Sequence, residues 1–349
     1  MIVVMKQGAS DKEIEHVIEV IEQHGLKAHV SRGVERTIIG CIGDEAKIEP
    51  LPFQAIPGVE RVMPVLKPYR MASRETHPEG TVVKVGGKTT PLVEIGGGKL
   101  VTMAGPCAVE NSESTELIAR QAKEAGAQML RGGAFKPRTS PYVFQGLGEE
   151  GLKILRQAGD KHGLPVVSEV RDVRQIEVLD RYVDMFQIGA RNMQNFDLLL
   201  EVGQKRKPVL LKRGLANTAE ELLMAAEYII SMGNHQVVLC ERGIRTFEKS
   251  TRFTLDVSAV PVLKKNSHLP VIVDPSHAAG QAWLVPFLAL AGIAAGADGI
   301  IVETHCDPEH ALCDGEQALL PGTLKNLIRD MNAIRKTIVA SKYASWLGK

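Results

Sequence analysis

Residues able to bind anions or metals follow eight separate apolar runs of this 349-residue chain. In chain order they are Cys107; Arg131 with Lys136 and Arg138; Glu169; Gln187 and Arg191; Lys212 with Arg213; Glu241 and Arg242; Asp274 and His277; and Glu303 with His305. Two chemistries separate out of this set. Arg131, Lys136, Arg138, Arg191, Lys212 and Arg242 concentrate positive charge in a chain whose 42 Lys plus Arg balance 41 Asp plus Glu. Such a cluster points to a substrate with more than one phosphate or carboxylate group. Cys107, His277, Glu303 and Asp314 offer a sulfur, a nitrogen and two carboxylates, a mixture that suits a divalent transition metal better than magnesium or calcium.

Each of these residues has a plainer role open to it. A single cysteine after an apolar strand is usually a packed small hydrophobe. His277 in Asp274-Pro-Ser-His can cap a helix, and Asp314 in Cys313-Asp314-Gly315 can make a turn. Cys306 and Cys313 compete as thiolate ligands, and His305, Cys306, Asp307, His310, Cys313 and Asp314 lie close enough in sequence to build a local zinc site.

The elements that must position these groups read as two domains. A strand (Ile2 to Met5), a helix (Asp11 to His24), two strands (Lys27 to Ser31 and Arg36 to Ile42), a short helix (Leu51 to Ala55) and a strand (Val59 to Pro64) give the order βαββαβ. We place this small ferredoxin-like domain at residues 1–66, a polar, proline-containing linker that leads toward a small hairpin at 67–89, and a larger domain at 90–349. In the larger domain, short runs rich in Val, Ile and Leu alternate with helical stretches: Leu100 to Met103, Gln128 to Leu130, Pro165 to Val170, Met185 to Ile188, Pro208 to Leu211, Gln236 to Leu239, Pro270 to Val273 and Gly299 to Val302. Eight βα pairs predict an α/β protein with a closed (β/α)8 barrel, whose catalytic groups come from the C-terminal strand ends. A doubly wound open sheet is the alternative; neither a dinucleotide fingerprint nor a P-loop follows any strand.

Composition narrows the class further. Apolar residues make up 44% and charged residues 24%, so a core forms without disulfides. The near-zero net charge gives no long-range field to hold nucleic acid or an anionic membrane. Five cysteines, without a secretory segment or a bilayer-length apolar stretch, predict a cytoplasmic protein.

Several long motifs occur together in order: AGPCAVE, LRGGAFKPRTSPYVFQGLG, SEV, QIGARN, LLKRG, CERGIRTFE, VDPSHAAG, and VETH followed by ALCDG. From about Thr90 to the C-terminus the chain resembles the 3-deoxy-D-arabino-heptulosonate 7-phosphate (DAHP) synthases, in the short microbial form with an appended ferredoxin-like domain. The resemblance implies a barrel that condenses phosphoenolpyruvate with erythrose 4-phosphate and water, releasing phosphate, at the first step of the shikimate pathway. It implies that Arg131, Lys136 and Lys212 face the carboxylate side of phosphoenolpyruvate, while the Ala190 amide, Arg191, Lys212 and Arg242 bind its phosphate. Arg138, Thr139 and Ser140 then hold the phosphate of the four-carbon sugar.

By the same resemblance the metal ligands fall on Cys107, His277, Glu303 and Asp314, for Mn2+, Fe2+, Co2+ or Zn2+, which makes Cys107 a thiolate ligand rather than packing. The ion would act as a Lewis acid on the sugar aldehyde while C3 of the enol attacks it. Lys136 and either His277 or Glu169, which also lies among the substrate-facing residues, are the expected proton carriers. The resemblance also implies a homotetramer, and it gives residues 1–66 two readings: inhibition by tyrosine or phenylalanine, or a domain that only supports assembly. Two rivals remain. One is the sister condensation with arabinose 5-phosphate, whose enzymes carry one more residue between the lysine and arginine of the KPRTS segment. The other is an amino-acid sensor on an inactive barrel.

Overall fold

The computed structural model describes every residue except 34, 45–46, 49–50, 64–66, 137–139, 141, 342 and 344–349. The chain divides into two compact units, Met1–Pro68 and Tyr69–Lys349. The first holds four strands, β1 (Ile2–Met5), β2 (Lys27–Arg32), β3 (Thr37–Ile42) and β4 (Val59–Met63), in the order β2-β3-β1-β4 with antiparallel neighbours. Its helix Asp11–Gln23 starts where Ser10 and Glu13 form a reciprocal capping box, and it buries Ile14, Val17 and Ile21, which recur at helical spacing on one face. These pack with Val3, Met5, Ile39, Phe53 and Val59. The second helix of the βαββαβ pattern is only a 3-10 turn, Phe53–Ala55, anchored by buried Phe53. Pro52 has no N–H to donate and Pro57 follows at once, which leaves no room for a full helix.

The second unit opens with a hairpin, β5 (Val83–Val85) and β6 (Val93–Ile95). Eight parallel strands follow: β7 (Val101–Gly105), β8 (Met129–Arg131), β9 (Val166–Val170), β10 (Met185–Ile188), β11 (Val209–Lys212), β12 (Val237–Glu241), β13 (Val271–Val273) and β14 (Gly299–Glu303). They close into a barrel as β14 pairs with β7, so the open-sheet alternative is excluded. All eight strands overlap the apolar runs read from the sequence. Helices fill the connections; Ala219–Ser231, capped by Thr218 and Glu221, buries Leu222, Leu223, Ala226, Ile229 and Ile230 against the barrel.

Inside the barrel, Met103, Met129, Val167, Met185, Leu210, Val238, Ile272 and Ile301 form one apolar cluster with Val83, Val85 and Ile95 of the hairpin. The hairpin therefore closes the N-terminal end of the barrel with hydrocarbon. Among the described residues no helix is long and apolar enough to cross a membrane.

Candidate active site

Side chains two residues apart in a strand point the same way. Two residues beyond each member of that apolar layer stand Gly105, Arg131, Glu169, Gln187, Lys212, Cys240, Asp274 and Glu303. The barrel interior thus changes from hydrocarbon to charge within one side-chain step toward the C-terminal mouth. The polar groups meet around the barrel wall: Arg131 Nη1 donates to Glu303 Oε1 at 3.0 Å and Lys212 Nζ to Asp274 Oδ2, each reaching past one intervening strand, and Gln187 Nε2 donates to Glu169 Oε2 at 3.2 Å between adjacent strands. Arg131, Lys212, Asp274 and Glu303 are all buried. Charges removed from water persist only when paired, so this layer is built around its partners.

One side of the mouth collects metal-binding atoms. Cys107, Cys313 and Asp314 bring ligand atoms within 4.8 Å of one another, and so do His277, Glu303 and Asp314; Asp314 belongs to both groups. Among the described residues these are the groups able to hold an ion, so the local run 305–314 contributes Cys313 and Asp314 rather than a separate centre. His277 Nδ1 hydrogen-bonds Asp274 Oδ2 at 2.7 Å, which turns Nε2 toward Glu303 Oε1 at 3.5 Å. A carboxylate behind one ring nitrogen with the other aimed at acidic ligands is the arrangement that orients a metal-bound histidine. Burial depresses the imidazole below its usual range against the pull of Asp274, which favours the neutral ring a metal requires. Burial opposes ionisation of Glu303, but His277, Arg131 and Lys136 outweigh it and bring its carboxyl down to about 2. A soft sulfur, an available imidazole nitrogen and ionised carboxylates fit a divalent transition ion.

Lys136 lies between this group and the cavity. Its Nζ donates to the Cys107 carbonyl at 2.9 Å and lies 3.0 Å from Cys107 Sγ. Burial works against its charge, yet Cys107, Cys313 and Glu303 hold it above the usual lysine range. Beside it opens a cavity of about 210 Å³ lined by Lys136, Ser140, Glu169, Gln187, Ala190, Arg191, Lys212, Arg242, Arg252, His277 and Asp314, among others. Five basic side chains face two carboxylates there. Arg242 is buried with its guanidinium 4.2 Å from the centre of the Phe253 ring, and among the described residues its Nη1 has no acceptor. Among the same residues Arg131 Nε is likewise buried without a partner. Buried donors without acceptors are costly, and a bound phosphate or carboxylate relieves that cost. Gly189 keeps the wall open, because a Cβ there would lie 2.1 Å from Glu169 Oε1.

Several strand-end residues turn elsewhere. Arg213 and Glu241 sit one position beyond the inward-facing Lys212 and Cys240, so they leave the barrel interior. Arg213 Nη1 joins Glu241, at the end of β12, and Asp256, each at 2.8 Å. His305 joins neither metal-binding group: its Nδ1 accepts from the Asp307 amide and its Nε2 lies 3.8 Å from Glu110. Arg138 and Thr139 lie outside the described residues. The sequence reading missed Arg252, which donates to Gln317 at 3.1 Å and lies 3.7 Å from Asp314, and Gln317, which donates to Glu303 at 2.6 Å. Arg252 follows its strand by more than ten residues, too far for a strand-end rule. Gln317 is separated from Glu303 by the whole loop carrying Cys313 and Asp314.

Fold and site together define a (β/α)8-barrel enzyme whose mouth is shaped for a multiply anionic substrate beside metal-binding side chains. Residues 81–340 match the DAHP synthetase I family and residues 1–67 the DAHP synthase ferredoxin-like domain, and the chain belongs to the DAHP synthetase I family. It is 52% identical over 334 residues to a phospho-2-dehydro-3-deoxyheptonate aldolase of Thermotoga maritima, spanning 96% of this chain and 97% of the relative. The crystal structure of a DAHP synthase from Thermotoga maritima superposes with a TM-score of 0.90 at 50% identity over 97% of both chains. A 2-dehydro-3-deoxyphosphooctonate aldolase of Syntrophotalea carbinolica is 34% identical over 69% of this chain and 93% of the relative.

Proposed function

We infer that the chain is a DAHP synthase: it condenses phosphoenolpyruvate with erythrose 4-phosphate and water and releases DAHP and phosphate. The observation that carries the reading at the level of the site is the cavity wall of basic side chains with a buried Arg242 donor left unpaired, beside metal-binding side chains. Arg131, Lys136 and Lys212 hold the carboxylate end of phosphoenolpyruvate, and Ala190 through its amide, Arg191, Lys212 and Arg242 hold its phosphate. Ser140, at the same cavity, joins Arg138 and Thr139 on the phosphate of the sugar. Fixing both anions in register removes much of the entropic cost of bringing two substrates together.

Cys107, His277, Glu303 and Asp314 would hold the divalent ion, with Mn2+, Fe2+, Co2+ and Zn2+ the ions considered. Bound there, it supplies Lewis-acid polarisation of a carbonyl oxygen. Lys136, kept protonated by its acidic neighbours, acts as a proton donor rather than as a base. His277 is occupied at both nitrogens in this reading, by Asp274 and by the metal, which leaves Glu169 as the second proton carrier. A cytoplasmic location belongs to the same reading, supported by five cysteines that are unbridged.

The choice of sugar is tested by measuring phosphate release with erythrose 4-phosphate and with arabinose 5-phosphate. The expected kcat/KM is about 10 to 100-fold lower for the five-carbon sugar, the scale on which a pocket rejects an additional small group. Equal or higher kcat/KM with arabinose 5-phosphate overturns the assignment. Residues 1–67 match the ferredoxin-like domain of these synthases; a regulatory role for residues 1–66, with tyrosine or phenylalanine as inhibitor, and a homotetramer belong to the same proposal. Deleting residues 1–66 is expected to leave an active barrel that neither amino acid inhibits; unchanged inhibition removes that role. A structure of a truncated synthase from Thermotoga maritima, matching 78% of this chain at 48% identity with a TM-score of 0.71, makes the shortened chain a reasonable one to prepare.

A further inference from the structure

Consecutive side chains on extended backbone point to opposite faces, so Cys313 and Asp314 are expected to diverge. They converge instead. Asp314 has a φ of +48°, and among the described residues it is the non-glycine residue with positive φ. Asp and Asn tolerate that left-handed conformation better than other side chains, and at functional sites it persists where the surroundings enforce it. The turn leaves the ligand atoms of Cys313, Asp314 and Cys107 within 4.8 Å of one another. Cys313 Sγ lies 3.1 Å from Cys107 Sγ, and Asp314 Oδ2 lies 3.2 Å from Cys107 Sγ. The sulfur separation is inside the roughly 3.5 to 4.0 Å at which even carbon atoms pack. Cys313 is 4% exposed, so both sulfurs sit out of water at the edge of the same cluster of donors. A cysteine that only filled space would have hydrocarbon neighbours alone; this one packs with Ala108 and Phe144 on one side, but its sulfur also lies against the Cys107 sulfur and within 4.8 Å of an Asp314 carboxylate oxygen.

We propose that Cys313 is a second sulfur ligand of the divalent-metal centre, one that biases the centre toward thiophilic ions such as Zn2+ and Co2+ and away from Mn2+. The proposal rests on the reading that Cys107, His277, Glu303 and Asp314 hold the metal. Thiolates favour soft and borderline ions, whereas carboxylates alone suit Mn2+. Adding one sulfur to a set with one sulfur, one imidazole and two carboxylates moves the preference in that direction.

The test uses the full chain, stripped of metal, kept under a non-thiol reductant and loaded with one ion at a time. X-ray absorption on the zinc-loaded wild type is expected to find two sulfur scatterers at about 2.3 Å. With cobalt, the sulfur-to-metal charge-transfer band per bound ion is expected to fall by about half in Cys313→Ser, as one of two sulfur ligands is removed. The same variant is expected to weaken Zn2+ binding by about 10 to 100-fold while leaving Mn2+ binding within about threefold. One sulfur on zinc in the wild type, with a cobalt band unchanged in Cys313→Ser and lost in Cys107→Ser, overturns the proposal and leaves the four-residue centre standing. No sulfur on zinc at all overturns both. Because the scatterer count is made on the wild type, a poorly folded variant does not remove the test.

Discussion

Enzyme stripped of its divalent ion by a chelator is expected to release phosphate from phosphoenolpyruvate and erythrose 4-phosphate at least about 1,000-fold more slowly, since Lewis-acid assistance is worth several kcal/mol. Adding back a divalent transition ion restores the rate. The basic side chains that line the cavity, Arg242 and Lys212 among them, are anchored by the barrel itself, so phosphoenolpyruvate should still bind to the stripped protein with an affinity within a few fold, measured by calorimetry. That split between binding and turnover separates a catalytic ion from a structural one. A stripped enzyme at full rate, with metal content confirmed by elemental analysis, would refute the metal centre as part of the chemistry.

Lys136→Met is expected to lower kcat by about 100 to 10,000-fold, the range associated with loss of a positioned proton donor. The substitution keeps most of the side-chain volume in a buried site and removes the ammonium that bonds the Cys107 carbonyl and sulfur. Without it, the negative charge of Glu303 loses one of the neighbours that keep it ionised. Weaker metal binding is therefore a second expected effect, and assays at saturating metal isolate the first. A variant that is fully active at saturating metal excludes Lys136 from proton transfer. Circular dichroism on the same sample confirms that the barrel is intact.

The proton-donor role proposed for Lys136 rests on its surroundings and not on its residue type. A lysine in an apolar pocket loses its charge and becomes a base. Here burial has the same tendency, but Cys107, Cys313 and Glu303 reverse it. The neighbours decide that the lysine keeps its proton, and two of the three come from the far end of the chain.

Much of the architecture is legible in the sequence. The eight apolar runs became the eight barrel strands because short β-branched segments separated by amphipathic helices bury both faces in one way, as a parallel sheet covered by helices. The capping box at Thr218 and Glu221 started its helix as expected. The small domain was read less completely: its second helix shrank to the turn Phe53–Ala55, because prolines on both sides leave too few residues to offset the cost of helix nucleation. At the mouth, polar residues after the strands marked the region but not the direction each one faces.

What the sequence determined by itself is local: the strand and helix periods, the caps, and the chemical types gathered near the strand ends, since these depend on neighbours within a few residues. The tertiary structure decided which of those groups meet. Lys212 faces inward and Arg213 outward because the pleat alternates with every residue and the barrel has only one interior. Arg252 and Gln317 reach Asp314 and Glu303 from loops whose paths no short pattern encodes. Cys313 stands beside Cys107, 206 residues away, because ring closure joins the last strand to the first and a single left-handed residue turns the loop back onto it.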